Sequence, residues 1–118
     1  MKIEKFKTIY KYDQPYALKI VRTTSAKEIK CLYNYLKKWK DITFENILEK
    51  SNTIEESRIK IEKCIIKLNN SLNFLNNIKK TGRSDIFQRE IKHKILAIEN
   101  AINKTNQYYL LLELSKNK

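Results

Sequence analysis

The densest grouping of like charges in the chain surrounds residue 82. Lys79, Lys80, Arg83, Arg89, Lys92 and Lys94 stand within a dozen or so residues of Gly82, against Asp85 and Glu90 alone. Cations at this density are suited to phosphate, because each phosphate they neutralise releases condensed counterions. Ser84 opens the next helical pattern, where free backbone N–H groups add anion donors. The competing reading is a solvated loop whose lysines keep it soluble.

Two further basic groupings carry aromatic neighbours. In the first, Lys5, Lys7 and Lys11 alternate with Phe6, Tyr10 and Tyr12, and Tyr16, Lys19 and Arg22 follow. Aromatics interleaved with lysines can stack on bases and track a phosphate backbone. The same aromatics can instead cover a helical core, and we prefer that use for them, leaving the lysines as candidate contacts. In the second, Lys37, Lys38 and Lys40 lie beside Tyr33, Tyr35 and Trp39.

Residues for catalysis are scarce. There is no Ser/His/Asp grouping, no paired histidine ligands and no glycine-rich phosphate loop. The single histidine, His93, has one nearby carboxylate, Glu90, three residues back on the same helical face. Such a pair is more often a surface contact than a catalytic dyad. Cys31 and Cys64 fit no metal spacing, and one histidine leaves the inventory short of a zinc site. They read as two small buried apolar residues in a reducing cytoplasm rather than a redox pair. The expectation is therefore a non-enzymatic protein with no catalytic residues, no metal and no cofactor.

Composition points the same way. Lys and Arg total 25 against 13 Asp and Glu in 118 residues, a formal charge of +12 with a pI near 9.7. Such an excess favours polyanionic partners. Part of it has a duller source: Lys (21), Ile (17) and Asn (12) are read from AT-rich codons. With 42% hydrophobic residues the chain can bury a core, so general disorder is not expected. One Gly and one Pro argue against a turn-rich β-sandwich or barrel. No apolar run approaches the ~20 residues of a membrane span, and the charged start carries no signal-peptide pattern. A cytoplasmic protein without membrane contact is expected.

The elements that must position these residues follow from periodicity. Residues 3–22 alternate with period two on either side of Asp13-Gln14-Pro15, which predicts a small N-terminal β-hairpin. Ser25 and Glu28 form a capping-box pattern, so an amphipathic helix should start at Ala26 and run to residue 40 with Ile29, Leu32, Leu36 and Trp39 inward. Thr43 is placed to cap a short helix over 44–50, with Ile42 and Ile47 as a hydrophobic staple. Thr53 and Glu56 repeat the capping pattern. Two heptad-like seams then follow: Ile54, Arg58, Ile61, Ile65, Leu68, Leu72, Leu75 and Lys79, then Ile91, Ile95, Ile98, Ile102, Thr105, Tyr109 and Leu112. Joined through Thr81-Gly82-Arg83, they predict a long antiparallel α-hairpin over 53–115, with Gly82 as a left-handed helix terminator. Folding about Gly82 sets Arg58 opposite Tyr109. The hairpin should have a basic tip and, from Glu55, Glu56 and Glu113, a more acidic base.

The order of strand 16–22, helix 26–40 and short helix 44–50 resembles in outline that of the ribbon-helix-helix repressors. The glycine turn of that family is missing here, and its minimal fold has no place for the α-hairpin, so we assign no family on it. The expected fold is mainly α with a small β element, an α+β chain forming one domain over 1–118 with a helical segment at 26–50. The expected function is a small basic regulator or accessory factor that binds nucleic acid or a nucleoprotein complex. The alternative is a protein-interaction module, a helical inhibitor or adaptor of phage or plasmid origin, that binds an acidic surface on a host protein complex. Ile59, Ile66, Phe74, Leu110, Leu111 and Leu114 make the apolar stripe wider than one hairpin can bury. It therefore needs a third helix or a second copy of the chain, and a homo-oligomer is expected.

Overall fold

The computed structural model describes residues 1–40, 49 and 51–116. They form five helices: α1 (Ile3–Tyr12), α2 (Gln14–Thr23), α3 (Ala26–Trp39), α4 (Ser51–Ile78) and α5 (Asp85–Lys116). The short helix expected over 44–50, with Ile42, Thr43 and Ile47, lies outside the described residues.

The expected N-terminal β-hairpin is wrong: both of its arms are helices, and no strand occurs among the described residues. The pattern of residues 3–22 satisfies two periods at once. Phe6 and Tyr10 are four apart, as are Ala17 and Val21, and Phe6, Ala17 and Val21 are fully buried. The junction settles the choice. Asp13 N–H donates to Ile9 O at 2.7 Å and closes α1, while the Asp13 carboxylate accepts from Tyr16 N–H at 3.2 Å and caps α2. Pro15 sits in the first turn of α2, where its missing N–H costs nothing and its fixed φ suits the helix. With the strand at 16–22 gone, the outline likeness to ribbon-helix-helix repressors goes too.

Helix α3 begins at Ala26 as expected, but not through a capping box. Ser25 adopts a left-handed backbone with φ 61°, outside the extended region a capping serine uses. Its hydroxyl donates instead to Ser71 Oγ of α4. Helix α4 is already helical at Ser51, so Thr53 and Glu56 lie inside its first turns rather than at its cap.

The α-hairpin is present. Ile54, Ile61, Leu68 and Leu75 of α4 and Ile91, Ile98, Thr105 and Leu112 of α5 are buried, in the expected register. Buried Thr105 satisfies its hydroxyl on Ala101 O at 2.9 Å. The first seam ends one residue early, with Ile78 buried and Lys79 exposed. Arg58 does face Tyr109, its guanidinium 5.1 Å from the ring centroid.

The wide stripe of the hairpin is covered only in part by its own chain: Phe74 packs against the core, while Ile59, Ile66, Leu110, Leu111 and Leu114 stay exposed. Helix α3 runs antiparallel to α4, as the Ser25–Ser71 hydrogen bond and the placement of Lys60 Nζ 5.8 Å from the Tyr35 ring establish. It runs parallel to α5, with Lys104 over Tyr33 and Trp39 against Tyr108 and Tyr109. Helices α1 and α2 pack on the tip half, so Phe6, Val21, Leu32, Leu68, Phe87 and Ile98 share one continuous core. Each fully buried side chain of this size contributes about 1.5–3 kcal/mol. The molecule measures 57 × 21 × 17 Å.

Candidate nucleic-acid interface

At the tip, α4 ends at Ile78, and Lys79 N–H and Thr81 N–H close its last turn on Leu75 O and Ile78 O. Gly82 does not have the left-handed conformation expected of a helix terminator, since its φ is not positive. Its lack of a side chain answers a different need. The Tyr10 ring of α1 lies directly against it, and a Cβ there would fall 2.6 Å from Tyr10 Cε1 and closer still to the phenol carbon and oxygen. The terminator's work is done by Gln88, whose side-chain amide donates to both Lys79 O and Gly82 O at 2.6 Å. Ser84 caps α5 as expected: its backbone oxygen accepts from Gln88 N–H at 3.0 Å and its hydroxyl from Phe87 N–H at 3.5 Å.

Helix α1 is held to this tip by aromatic packing. Phe6 stacks on Phe87 at 6.0 Å and meets Phe74 edge-on at 5.8 Å, and Tyr10 lies 4.7 Å from Phe87. The aromatics of the N-terminal segment are thus mostly spent on the core. Lys7 and Lys11, within a turn of Tyr10, are carried to the same end as the hairpin turn. Two basic groupings far apart in the chain converge there.

Lys79, Lys80, Arg83, Arg89 and Lys92 are all exposed, and none is in an ion pair among the described residues. Lys79 and Lys92 flank one shallow groove floored by Ile91 and Ile95. Of the two acids nearby, Glu90 is occupied by Arg22 of α2 at 3.1 Å, which leaves Asp85 as the exposed carboxylate of the turn. The same pairing takes from His93 the carboxylate that sequence spacing offered it. Lys94 differs from the others. It is half-buried, and lost hydration pushes its pKa down, with Glu90 pulling the other way. Lys5, Lys7 and Lys11 are exposed on α1; Lys7 pairs with Glu4 at 3.6 Å in a largely solvated contact, and such contacts add about 0–1 kcal/mol.

Lys37, Lys38 and Lys40 lie at the opposite end. From Phe87 to Tyr109 along α5 is roughly 33 Å at ~1.5 Å per residue, and Trp39 packs against Tyr109 with ring centroids 5.7 Å apart. The base is therefore not simply acidic: α3 delivers three lysines to the end that carries Glu55, Glu56 and Glu113. They divide. Lys38 turns to Tyr35, 5.5 Å from its ring, on the α4 side, while Lys37 and Lys40 line a groove toward α5 with Lys104, Tyr33, Leu36 and Tyr108. Sequence reasoning missed Lys104. Its signal was a spacing: Tyr33 and Lys37 are four apart on α3, as Lys104 and Tyr108 are on α5, so parallel packing brings both pairs to one groove, with Lys104 over the Tyr33 ring.

Behind that groove, Trp39 Nε1, Arg58 Nε and Tyr109 Oη are buried without a hydrogen-bond partner. Burial pushes the Tyr109 phenol pKa up, Glu62 adds to the rise and Arg58 opposes it, so the hydroxyl keeps its proton at neutral pH. Cys31 and Cys64 are half-buried free thiols on facing positions of α3 and α4. Among the described residues no three His, Cys, Asp or Glu side chains gather as a metal site, and no helix is long and apolar enough to cross a membrane. No family model matches this chain, and no curated protein or solved structure is found to be similar to it.

Proposed function

We propose that the protein is a small basic nucleic-acid-binding regulator or accessory factor that acts without catalysis and uses the hairpin tip as its main phosphate contact. The observation that carries this reading is the tip itself. Five exposed cations surround the turn, one of the two carboxylates nearby, Glu90, is held by Arg22, and α1 adds Lys7 and Lys11 at the same end. A polyanion meets these charges within about one Debye length, ~8 Å at physiological salt. The test is salt-dependent binding to duplex DNA. Each neutralised phosphate contributes about 0.9 to the slope of log affinity against log salt. Replacing Lys79, Lys80 and Arg83 with alanine should weaken binding and flatten that slope by about two units, with little loss of sequence preference. Wild-type protein that binds no nucleic acid at low salt would sink the reading.

A protein partner is the second reading, favoured by exposed Leu110, Leu111 and Leu114 on the far half of α5. It calls for capture of one component through an acidic surface, and that capture should survive nuclease treatment. Self-association belongs to the proposal too, through these leucines with Ile59 and Ile66, which are 58% and 61% exposed on α4. Sedimentation at the 14.2 kDa monomer mass across a wide concentration range would remove it.

A further inference from the structure

We propose that the groove between α3 and α5, at the end away from the tip, is a second site whose ligand is single-stranded nucleic acid. It goes beyond the tip reading in both place and ligand, and it stands on different residues.

The groove encloses about 330 Å³ and is lined by Tyr33, Leu36, Lys37, Lys40, Lys104 and Tyr108. No carboxylate lines it, and none of its three lysines is in an ion pair among the described residues. Three like charges on two parallel helices repel one another, and an anion between them removes that cost. Lys104 is partly compensated by the Tyr33 ring, with its ammonium 5.4 Å from the centroid. Tyr108 is fixed from behind, edge-on to Trp39 at 6.5 Å.

Lysines flanking tyrosines are the two parts of a single-strand site: cations that follow the backbone and ring faces on which unpaired bases stack. A duplex keeps its bases stacked inward and could use only the lysines. The volume lies at the low end of small-ligand pockets, about 300–1,000 Å³, which suits one nucleotide unit of a strand.

Trp39 is the single tryptophan of the chain, so its emission reports on this end alone. The experiment titrates the whole protein with an eight-residue oligothymidylate while following that emission. The expected result is a saturable change, retained when Lys79, Lys80 and Arg83 are replaced by alanine. In the Lys37→Gln/Lys104→Gln double variant the salt slope should fall by about 1.4, from ~0.7 per phosphate on single strands. Both lysines lie on solvated flanks, and an unchanged melting temperature confirms that the variant is folded. An equal emission change at equal affinity from duplex DNA or poly-glutamate would overturn the proposal in favour of an unspecific anion site. Thymidine 5′-monophosphate binding as tightly as the oligomer would overturn it in favour of a free nucleotide. No emission change, with duplex binding still dependent on the tip, would dispose of the groove and leave the tip reading standing.

Discussion

The two ends of this molecule carry similar charge in different surroundings. At the tip, the cations sit on helix ends and a turn, point into solvent, and have their aromatic neighbours buried beneath them in the contact of α1 with Phe87. At the base, Lys37, Lys40 and Lys104 lie along helix flanks with Tyr33 and Tyr108 in the same groove. On the proposed readings, the tip attracts a polyanion at a distance without gripping any base, whereas the base, where ring faces and charge share one groove, works by contact. Net charge alone, at +12, does not separate these roles; the packing of α1 and α3 does.

The largest expected effect tests whether both ends share one core. Leu68→Ala or Ile98→Ala deletes a fully buried side chain and should cost about 2–5 kcal/mol. Chemical denaturation followed by helix content and by Trp39 emission should then shift together. A loss under ~0.5 kcal/mol, the range of surface changes, would mean the seam is not the core.

Next comes a change confined to the tip. Gly82→Ala drives a methyl group into the Tyr10 ring, and overpacking of this kind costs about 1–3 kcal/mol. Amide exchange should rise in α1 while Trp39 emission in the folded protein stays unchanged. Equal stability of wild type and variant would show that α1 does not rest on the turn.

A smaller effect separates charge from packing. Arg22→Ala removes a half-solvated pair worth under about 1 kcal/mol but frees the Glu90 carboxylate beneath the tip cations. Stability should barely move, while duplex affinity falls. Affinity that holds would mean Glu90 does not oppose the tip.

The smallest effect lies between the ends, at Cys64. Burial pushes its thiol pKa above the ordinary value, with Cys31 and Glu28 adding to the rise and Lys67 opposing it. A thiol raised in the folded state contributes stability below its unfolded pKa and loses it as pH climbs through the folded one. Iodoacetamide should therefore alkylate Cys64 more slowly than glutathione at pH 8. Cys31→Ser, which removes one of the raising charges, should speed the reaction slightly. Alkylation of Cys64 as fast as glutathione would contradict the burial.

The hairpin was legible because its pattern has a single solution. Ile54 to Leu75 and Ile91 to Leu112 repeat in fours and threes over many turns, and that spacing fits no strand, so register and even the meeting of Arg58 with Tyr109 could be read off. Residues 3–22 were illegible because ten-residue segments satisfy period two and period 3.6 together. The decisive signals were Asp13 as a cap and Pro15 in a first turn, which can equally be taken for a β-turn. Gly82 misled for a related reason: a glycine after a long helix suggests a left-handed terminator, and only tertiary structure reveals Tyr10 pressed against it. The tip cations were visible as a run in the sequence. The groove at the base was only half visible, since Lys104 becomes its neighbour only when α3 packs parallel to α5.

The contact of Tyr10 with Gly82 also orders events in time. The two residues are about 70 positions apart, so closing that loop costs about 3.8 kcal/mol plus a constant, against about 1.6 for the six-residue turn between α4 and α5. The hairpin can therefore zip from its own turn first, and it presents the glycine surface only once that turn exists. Helix α1 is then a late arrival, docking on a finished hairpin. Gly82→Ala should accordingly speed unfolding far more than it slows folding, and stopped-flow rates read this asymmetry directly.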